Sequence, residues 1–180
     1  MTMPVLHELL RHNRWATARV FKVCAGADPG LLTESAGGTI GTALQTLAHM
    51  VSVEEGFSAM MGLALQHHGV GSDFRFLVTP AGLEDGYSGH DLGWYAERAA
   101  ALDTFLLDDV VGAGEEHLED EIRVPWLDFP MTTGKGMTQV LVHNAHHRSQ
   151  VFSVLGERGV KVPDLDYVIM LAKEQTAPSS

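Results

Sequence analysis

Three histidines that could bind a metal ion lie within five residues of one another: His143, His146 and His147, in the segment VLVHNAHHRSQVF. The apolar residues of this segment recur at helical spacing, which predicts an amphipathic helix. On such a helix His143 and His147 are one turn apart and adjacent on one face. Two imidazoles in that arrangement can bind one metal ion, as in helical HExxH sites. The spacing therefore indicates a metal centre, and histidines hydrogen-bonded within a core are the alternative.

The helical wheel separates the three histidines, because each residue of a helix advances about 100°. With His143 at zero, the apolar residues of the segment spread from about 20° to about 180°. His147 lies inside this arc at about 40°, whereas His146 lies at about 300°, among glutamines and serines. We therefore expect His143 and His147 to face the interior of the protein and His146 to face away from it.

Two imidazoles do not complete the site, because catalytic zinc commonly takes three protein ligands and a water molecule. The best third donor is His49, which lies mid-way along another predicted helix and shares a face with Val53 and Met60. On spacing alone, the three-histidine metal site and the hydrogen-bonded alternative both remain open. Six other histidines are expected to hold no metal: His7, His12, His67, His68, His90 and His117.

The elements that must position these residues are four long helices. They are predicted at 4–24, at about 39–66, at 89–109, and from a cap at Thr132 or Thr133 to about Arg158. The second helix has two apolar faces, as a helix with two neighbours in a bundle requires. The sequence therefore predicts an all-α four-helix bundle.

The segments between the helices are rich in turn-forming residues. Residues 67–88 are expected to form a loop, and the long crossover between the third and fourth helices contains an alternating stretch that predicts a short hairpin. One further short helix is expected after residue 160. The chain is interpreted as one domain, 1–175, followed by a flexible tail, 176–180.

Composition excludes several classes of function. The chain has 23 acidic and 12 basic residues, a formal net charge of −11 and no dense basic run, so no nucleic acid is expected as a partner. A single cysteine, Cys24, excludes a disulfide within the chain and a Cys-rich zinc site. Neither a membrane-spanning apolar run nor a signal core is recognisable, so we expect a cytoplasmic protein without a membrane partner.

Arg148 is expected to point into the bundle, at about 140° on the wheel. An unpaired buried charge is costly, so Arg148 is expected to pair with an internal acid such as Glu54 or Glu8. Binding of a substrate carboxylate is the alternative.

The segments around the candidate ligands resemble DinB-like proteins, which are damage-inducible, metal-binding four-helix bundles. The resemblance covers nearly the whole chain, and its specific parts are TLAHMVSVEE with His49 and HNAHHRSQV followed by LGERGVKVPDLDY. The usual ligands of the family map onto His49, His143 and His147. The resemblance implies a homodimer that binds a divalent metal ion such as zinc or nickel. It also implies that some relatives are enzymes using a small thiol, bacillithiol or mycothiol.

Three functions are compatible with these observations. A three-histidine site leaves positions open for water or substrate, and bound zinc lowers the pKa of a water or thiol. The first function is therefore a metal-dependent transferase or isomerase in which a low-molecular-weight thiol attacks an electrophilic small molecule. Its role would be detoxification or stress response. The second is a metal-binding stress protein without turnover. The third is a helical interaction module whose histidines bind no metal.

Overall fold

The computed structural model describes residues 3–79, 82–83 and 87–176. Its helices are α1 (Met3–Ala25), α2 (Pro29–Thr33), α3 (Ala43–His67), α4 (Leu92–Phe105), α5 (Val111–Ala113), α6 (Thr133–Glu157) and α7 (Tyr167–Thr176). A π-helical turn, Leu106–Val110, joins α4 to α5, so the third long helix is continuous over both. The long helices α1, α3, α4 and α6 form a bundle, and the predicted all-α class is confirmed.

Two pairs of very short antiparallel strands lie in the connections. Strand β1 (Val78–Thr79) pairs with β2 (Gly82–Leu83), and β3 (Glu121–Ile122) pairs with β4 (Met131–Thr132). The β3–β4 pair confirms the short hairpin predicted before the last long helix. Its register places Ile122 opposite Met131, and the Ile122 side chain is buried against α6 beside Gly136.

Helices α3 and α6 run antiparallel. His49 lies beside His147, and further along α3 Glu54 lies beside Asn144, which comes earlier in α6. This pairing places the middle of one helix against the middle of the other. The two helices that carry the candidate ligands are therefore direct neighbours in the bundle.

Helices α3 and α4 run parallel, because Glu55 contacts Arg98 and, further along both helices, Gly62 lies beside Phe105. Consequently α3 ends at one end of the bundle and α4 begins at the other. The chain between α3 and α4 therefore has to run the length of the bundle. The long connection with the hairpin joins two antiparallel helices, α4 and α6, at one end of the bundle. The sequence carries no signal for the direction of a helix in the bundle. The residues alone therefore do not show which of the two connections, α3–α4 or α4–α6, runs the length of the bundle.

The start of α3 is set by a capping box. The Thr42 hydroxyl accepts a hydrogen bond from the Gln45 N–H (3.1 Å), and the Gln45 side chain accepts one from the Thr42 N–H (3.0 Å). Gly41, at a φ of 74°, turns the chain just before this cap. The expected start near Thr39 was therefore about one turn too early. At α6, Thr132 occupies the expected cap position but makes no capping hydrogen bond with its side chain.

The core fills the bundle on both sides of the candidate ligands. Met50 and Met61 are fully buried, and Cys24 is 1% exposed. Among the described residues, none of the helices combines the length and the apolar character needed to cross a membrane. Besides the histidines, the α3–α6 contact contains a fully buried polar pair, Glu54 and Asn144.

The chain after α6 packs back onto α1. Gly159, at a φ of 79°, ends α6, and the expected short helix is α7. Arg11 donates to Glu174 (2.7 Å), and the Tyr167 hydroxyl donates to Glu8 (2.9 Å). The expected flexible tail lies outside the described residues except for Thr176, which is the last residue of α7.

Candidate metal centre

His49, His143 and His147 converge between α3 and α6. The Nε2 of His143 lies 3.3 Å from the Nε2 of His49 and 3.1 Å from the Nε2 of His147. One nitrogen from each of the three rings lies within 4.8 Å of the other two. The structure thus brings together the three residues selected from the sequence. That they hold a metal ion stays a prediction.

The spacing of the three nitrogens fits a tetrahedral ion. Zinc–imidazole bonds are about 2.0–2.1 Å long, so two ligands of a tetrahedral site are about 3.3 Å apart. The two observed separations, 3.3 and 3.1 Å, are close to that edge. The donor set also suits nickel, because imidazole is a good ligand for both ions.

Gln150 sets the orientation of the His147 ring. Its side-chain oxygen Oε1 lies 2.7 Å from the Nδ1 of His147, one turn further along α6. An amide oxygen only accepts hydrogen bonds, so Nδ1 donates and carries the proton. The Nε2 of His147 then presents a lone pair to the centre of the group. Metal-bound histidines are usually oriented by such a partner on the second ring nitrogen.

The environment keeps the three imidazoles neutral. Burial, followed by the neighbouring His147 and His49 rings, lowers the pKa of His143 to about 4. Burial also lowers the pKa of His49 and of His147. Neutral imidazole is the form that binds a metal, so at neutral pH no proton has to leave before an ion can bind.

The site is closed on one side and open on the other. His147 is only 5% exposed, whereas His49 and His143 are half-buried. His146 is exposed, as the wheel predicted, and its ring lies 5.1 Å from the His147 ring without joining the group. A bound ion would therefore have free coordination positions towards solvent, where a small molecule can approach.

The profile of the DinB family matches residues 1–177, almost the entire chain. The chain belongs to the DinB family. This result confirms the resemblance drawn from the histidine-containing segments. No curated protein matches the chain at a significant level.

Helix α6 of this DinB-family protein is fixed by polar contacts from the residues that follow each histidine. Asn144 is fully buried and donates to the Oε2 of Glu54 on α3 (2.8 Å). Arg148 donates to Asn13 (2.6 Å) and Thr17 (2.9 Å) on α1. Because these contacts lie on two sides of α6, they fix its rotation, and with it the direction of the His143 and His147 rings.

The partners of Arg148 differ from the expected ones. Its guanidinium hydrogen-bonds an amide and a hydroxyl rather than Glu54 or Glu8, and Glu8 instead pairs with Arg11 at 2.8 Å. A carboxylate lies on the other side of Asn13, because the Asn13 side chain also donates a hydrogen bond to Asp103 (2.8 Å). Glu54 and Asp103 interact with the charge of Arg148 without a direct ion pair, since its guanidinium bonds Asn13 and Thr17 instead.

Two buried carboxyl groups in the DinB bundle, Asp103 and Glu54, both interact with the buried charge of Arg148. Burial raises the pKa of Asp103 to about 7 and raises the pKa of Glu54 well above its ordinary value. Burial also lowers the pKa of Arg148 to about 10, which leaves it charged at neutral pH. One positive charge can balance one carboxylate. The raised pKa values of Asp103 and Glu54 therefore favour a state in which one of the two is charged and the other is protonated.

Asn13, Asp103 and Asn144 were not selected from the sequence, although a signal was available. Asn144 lies at about 100° on the wheel that has His143 at zero, in the middle of the apolar arc. A polar residue at a core position needs a hydrogen-bond partner, which could have drawn attention to Glu54. Asn13 carries the same signal, because it shares a helical row with Leu6 and Leu10, but this row does not identify Asp103 on a distant helix as its partner.

Proposed function

We propose that this DinB-family protein binds a divalent metal ion, zinc or nickel, through His49, His143 and His147. We further propose that it uses the ion to transfer a low-molecular-weight thiol to an electrophilic small molecule. The observation that supports the proposal best is the convergence of three neutral imidazole Nε2 atoms at 3.1 and 3.3 Å. An ion at this position would supply Lewis acidity that lowers the pKa of a bound thiol or water.

The sulfur must come from a molecule other than the protein. Cys24 is the one cysteine of the sequence, it is 1% exposed, and burial raises its pKa to about 12. A buried thiol that stays protonated is a poor nucleophile. A small external thiol can reach the open side of the histidine group, where His49 and His143 are half-buried.

The proposed reaction balances without an oxidant. The thiol releases its proton to water, its sulfur bonds to the electrophilic carbon, and the leaving group of an aryl halide departs with the bonding electron pair. With an epoxide or an enone, the electron pair stays on the product, which takes up a proton from water. In the reaction, the chain's own residues hold the site: Gln150 orients His147, and Asn144 and Arg148 hold α6. The open side of the site admits both reactants.

Two further features of the proposal concern the setting of the reaction. A reduced small thiol is abundant in the cytoplasm, which is therefore the proposed location. A homodimer is also proposed, and its support is the membership of the DinB family rather than a contact of this chain.

The experiment that tests the function is a transfer assay with metal-loaded, untagged protein. Bacillithiol, mycothiol and glutathione are each mixed with a panel of aryl halides, epoxides and enones, and the thioether is measured by mass spectrometry. We expect one thiol to react faster with the protein than without it. The acceleration should be lost in His143→Ala and kept in His146→Ala, whose side chain is exposed.

Other outcomes assign other functions. Bound metal without turnover for any of the three thiols would contradict the transferase and leave a metal-binding stress protein. A folded protein that takes up no metal at the three histidines would contradict both and leave a helical interaction module.

A further inference from the structure

A second group of potential metal ligands lies at the far end of α3. His68, His117 and Asp120 each offer one ligand atom, and these atoms lie within 4.8 Å of one another. His68 follows His49 by 19 positions in the sequence, which is about 28 Å along a helix. The group is therefore separate from the three-histidine centre. Neither His68 nor His117 was expected to hold a metal.

One oxygen of Asp120 contacts both imidazoles. Its Oδ2 lies 2.8 Å from the Nδ1 of His117 and 3.2 Å from the Nε2 of His68. The two rings are 5.0 Å apart between centroids and are tilted by 58° rather than stacked. Both histidines thus direct a ring nitrogen at the same point.

The backbone at the end of α3 holds His68. Gly69 adopts a φ of 77°, and the N–H groups of Gly69 and Val70 donate to Gln66 (3.0 Å) and Leu65 (3.1 Å). This pair of bonds is a Schellman motif, which ends a helix in a defined conformation. His68 therefore starts from a fixed backbone position although its side chain is half exposed.

The backbone of the turn before α6 holds the other two ligands. The Asp120 carbonyl accepts from the Thr133 N–H (2.9 Å), and the Leu118 carbonyl accepts from the Gly134 N–H (2.9 Å). The side chains of His117 and Asp120 are 14% and 16% exposed, so they are well packed. Two of the three ligand groups are thus held by the backbone and by packing.

We propose that His68, His117 and Asp120 form a second site for a divalent transition-metal ion, with zinc as the ion that suits it best. Two imidazole nitrogens and one carboxylate oxygen are a donor set that zinc accepts in proteins. The separation from Asp120 to His68, 3.2 Å, is close to the edge of a tetrahedral site, whereas that to His117, 2.8 Å, is about 0.5 Å shorter and would lengthen slightly around an ion. Water completes the coordination on the exposed side of His68.

The ion would join three segments that are distant in the sequence: the end of α3, the turn at residues 115–120, and through that turn the start of α6. A ligand that binds the folded chain alone stabilises it in proportion to its occupancy. The second site is therefore a structural clamp across one end of the bundle. It requires no part in the thiol reaction proposed for the three-histidine centre.

The experiment titrates Zn²⁺ into the full-length, untagged chain carrying His143→Ala and His147→Ala, which removes two ligands of the first centre. We expect one equivalent of zinc to bind saturably by calorimetry. Adding Asp120→Asn should lower the affinity at least tenfold, and adding His117→Ala should do the same. His67→Ala is the matched control, because His67 is an exposed neighbour of His68 outside the group, and it should leave the isotherm unchanged.

A second measurement guards against variants that lose the fold. Asp120→Asn keeps a hydrogen-bond acceptor for the two histidines, and circular dichroism should show unchanged helix content. Co²⁺ bound to the chain with the first centre disabled should give visible d–d absorption that disappears in Asp120→Asn. No saturable zinc binding in that chain, or equal loss in His67→Ala and Asp120→Asn, would overturn the second site and leave ordinary histidine–carboxylate hydrogen bonds.

Discussion

The Nδ1 of His147 and the Oε1 of Gln150 lie 2.7 Å apart on successive turns of α6. Since the amide oxygen can only accept, the contact fixes the proton of His147 on Nδ1. The Nε2 then directs its lone pair at His143, 3.1 Å away. Gln150 thus selects the tautomer of His147 that a metal ion requires.

Replacing Gln150 should weaken metal binding without unfolding the protein. Loss of a hydrogen-bond partner that orients a metal-binding histidine typically lowers metal affinity about 10- to 100-fold. We expect Gln150→Ala to fall in this range in a chelator competition with Zn²⁺. Gln139→Ala is the control, because Gln139 is an exposed glutamine of the same helix. Equal affinities for the two variants would show that Gln150 does not orient His147.

Replacing Arg148 should destabilise the bundle. Arg148 is 4% exposed and bonds Asn13 and Thr17. Its removal leaves these buried polar groups without their donor and takes away the buried charge that interacts with Asp103. We expect Arg148→Ala to lower the free energy of unfolding by about 3–5 kcal/mol, the usual cost of removing one partner from a buried charged network. Urea denaturation of metal-free protein measures the change.

The control for Arg148 is Arg123→Ala. Arg123 forms an ion pair with Glu121 at 2.8 Å on the surface, where both side chains are more than half exposed. Such pairs contribute little to stability, so the urea midpoint should hardly move. If Arg148→Ala kept wild-type stability and instead raised the KM for a carboxylate-bearing electrophile, Arg148 would be a substrate-binding residue and the structural role would be wrong.

Asp103 should make stability fall as pH rises. Burial raises the pKa of its carboxyl from 3.8 to about 7, against the opposing effects of the Asn13 hydrogen bond and the Arg148 charge. In this window the folded protein holds a proton that the unfolded chain has released, so stability decreases with pH. This contribution is fully present below about pH 4 and is lost by the time the pH has passed about 7.

The pH dependence can be isolated by comparison with Asp103→Asn. Asparagine keeps an acceptor for Asn13 but does not titrate. Unfolding free energies of both metal-free proteins are measured between about pH 4 and about pH 8. The wild type should lose stability relative to the variant as the pH rises. A constant difference, or one that grows in favour of the wild type, would contradict the raised pKa.

The sequence predicted the helices and the three histidines for a physical reason. The periodicity of apolar residues places His143 and His147 on the buried face of one helix, and this requires only local geometry. His49 was selected by elimination and by family resemblance, because the spacing of residues on one helix carries no information about its neighbour. The structure shows that α3 and α6 are in direct contact, which places His49 beside His143.

Contacts between distant segments could not be predicted. Asn13 and Asp103 meet because α1 and α4 pack together, and His68 meets His117 and Asp120 because one end of α3 lies beside the turn before α6. The helix directions that bring these residues together follow from the packing of the whole bundle. In the sequence the partners in each of these contacts lie far apart, and their spacing does not pair them.

The most direct test of the metal centre is the metal content of the untagged protein and of four single variants, measured by mass spectrometry after equilibration with a limiting amount of Zn²⁺ or Ni²⁺. Because the second site could retain an ion, each variant is measured on a chain that also carries Asp120→Asn. His49→Ala, His143→Ala and His147→Ala should each lose most of the bound metal, whereas His146→Ala should retain it, because its ring lies outside the converging group. Equal loss in all four variants, or a folded parent chain that binds no metal, would contradict the three-histidine centre.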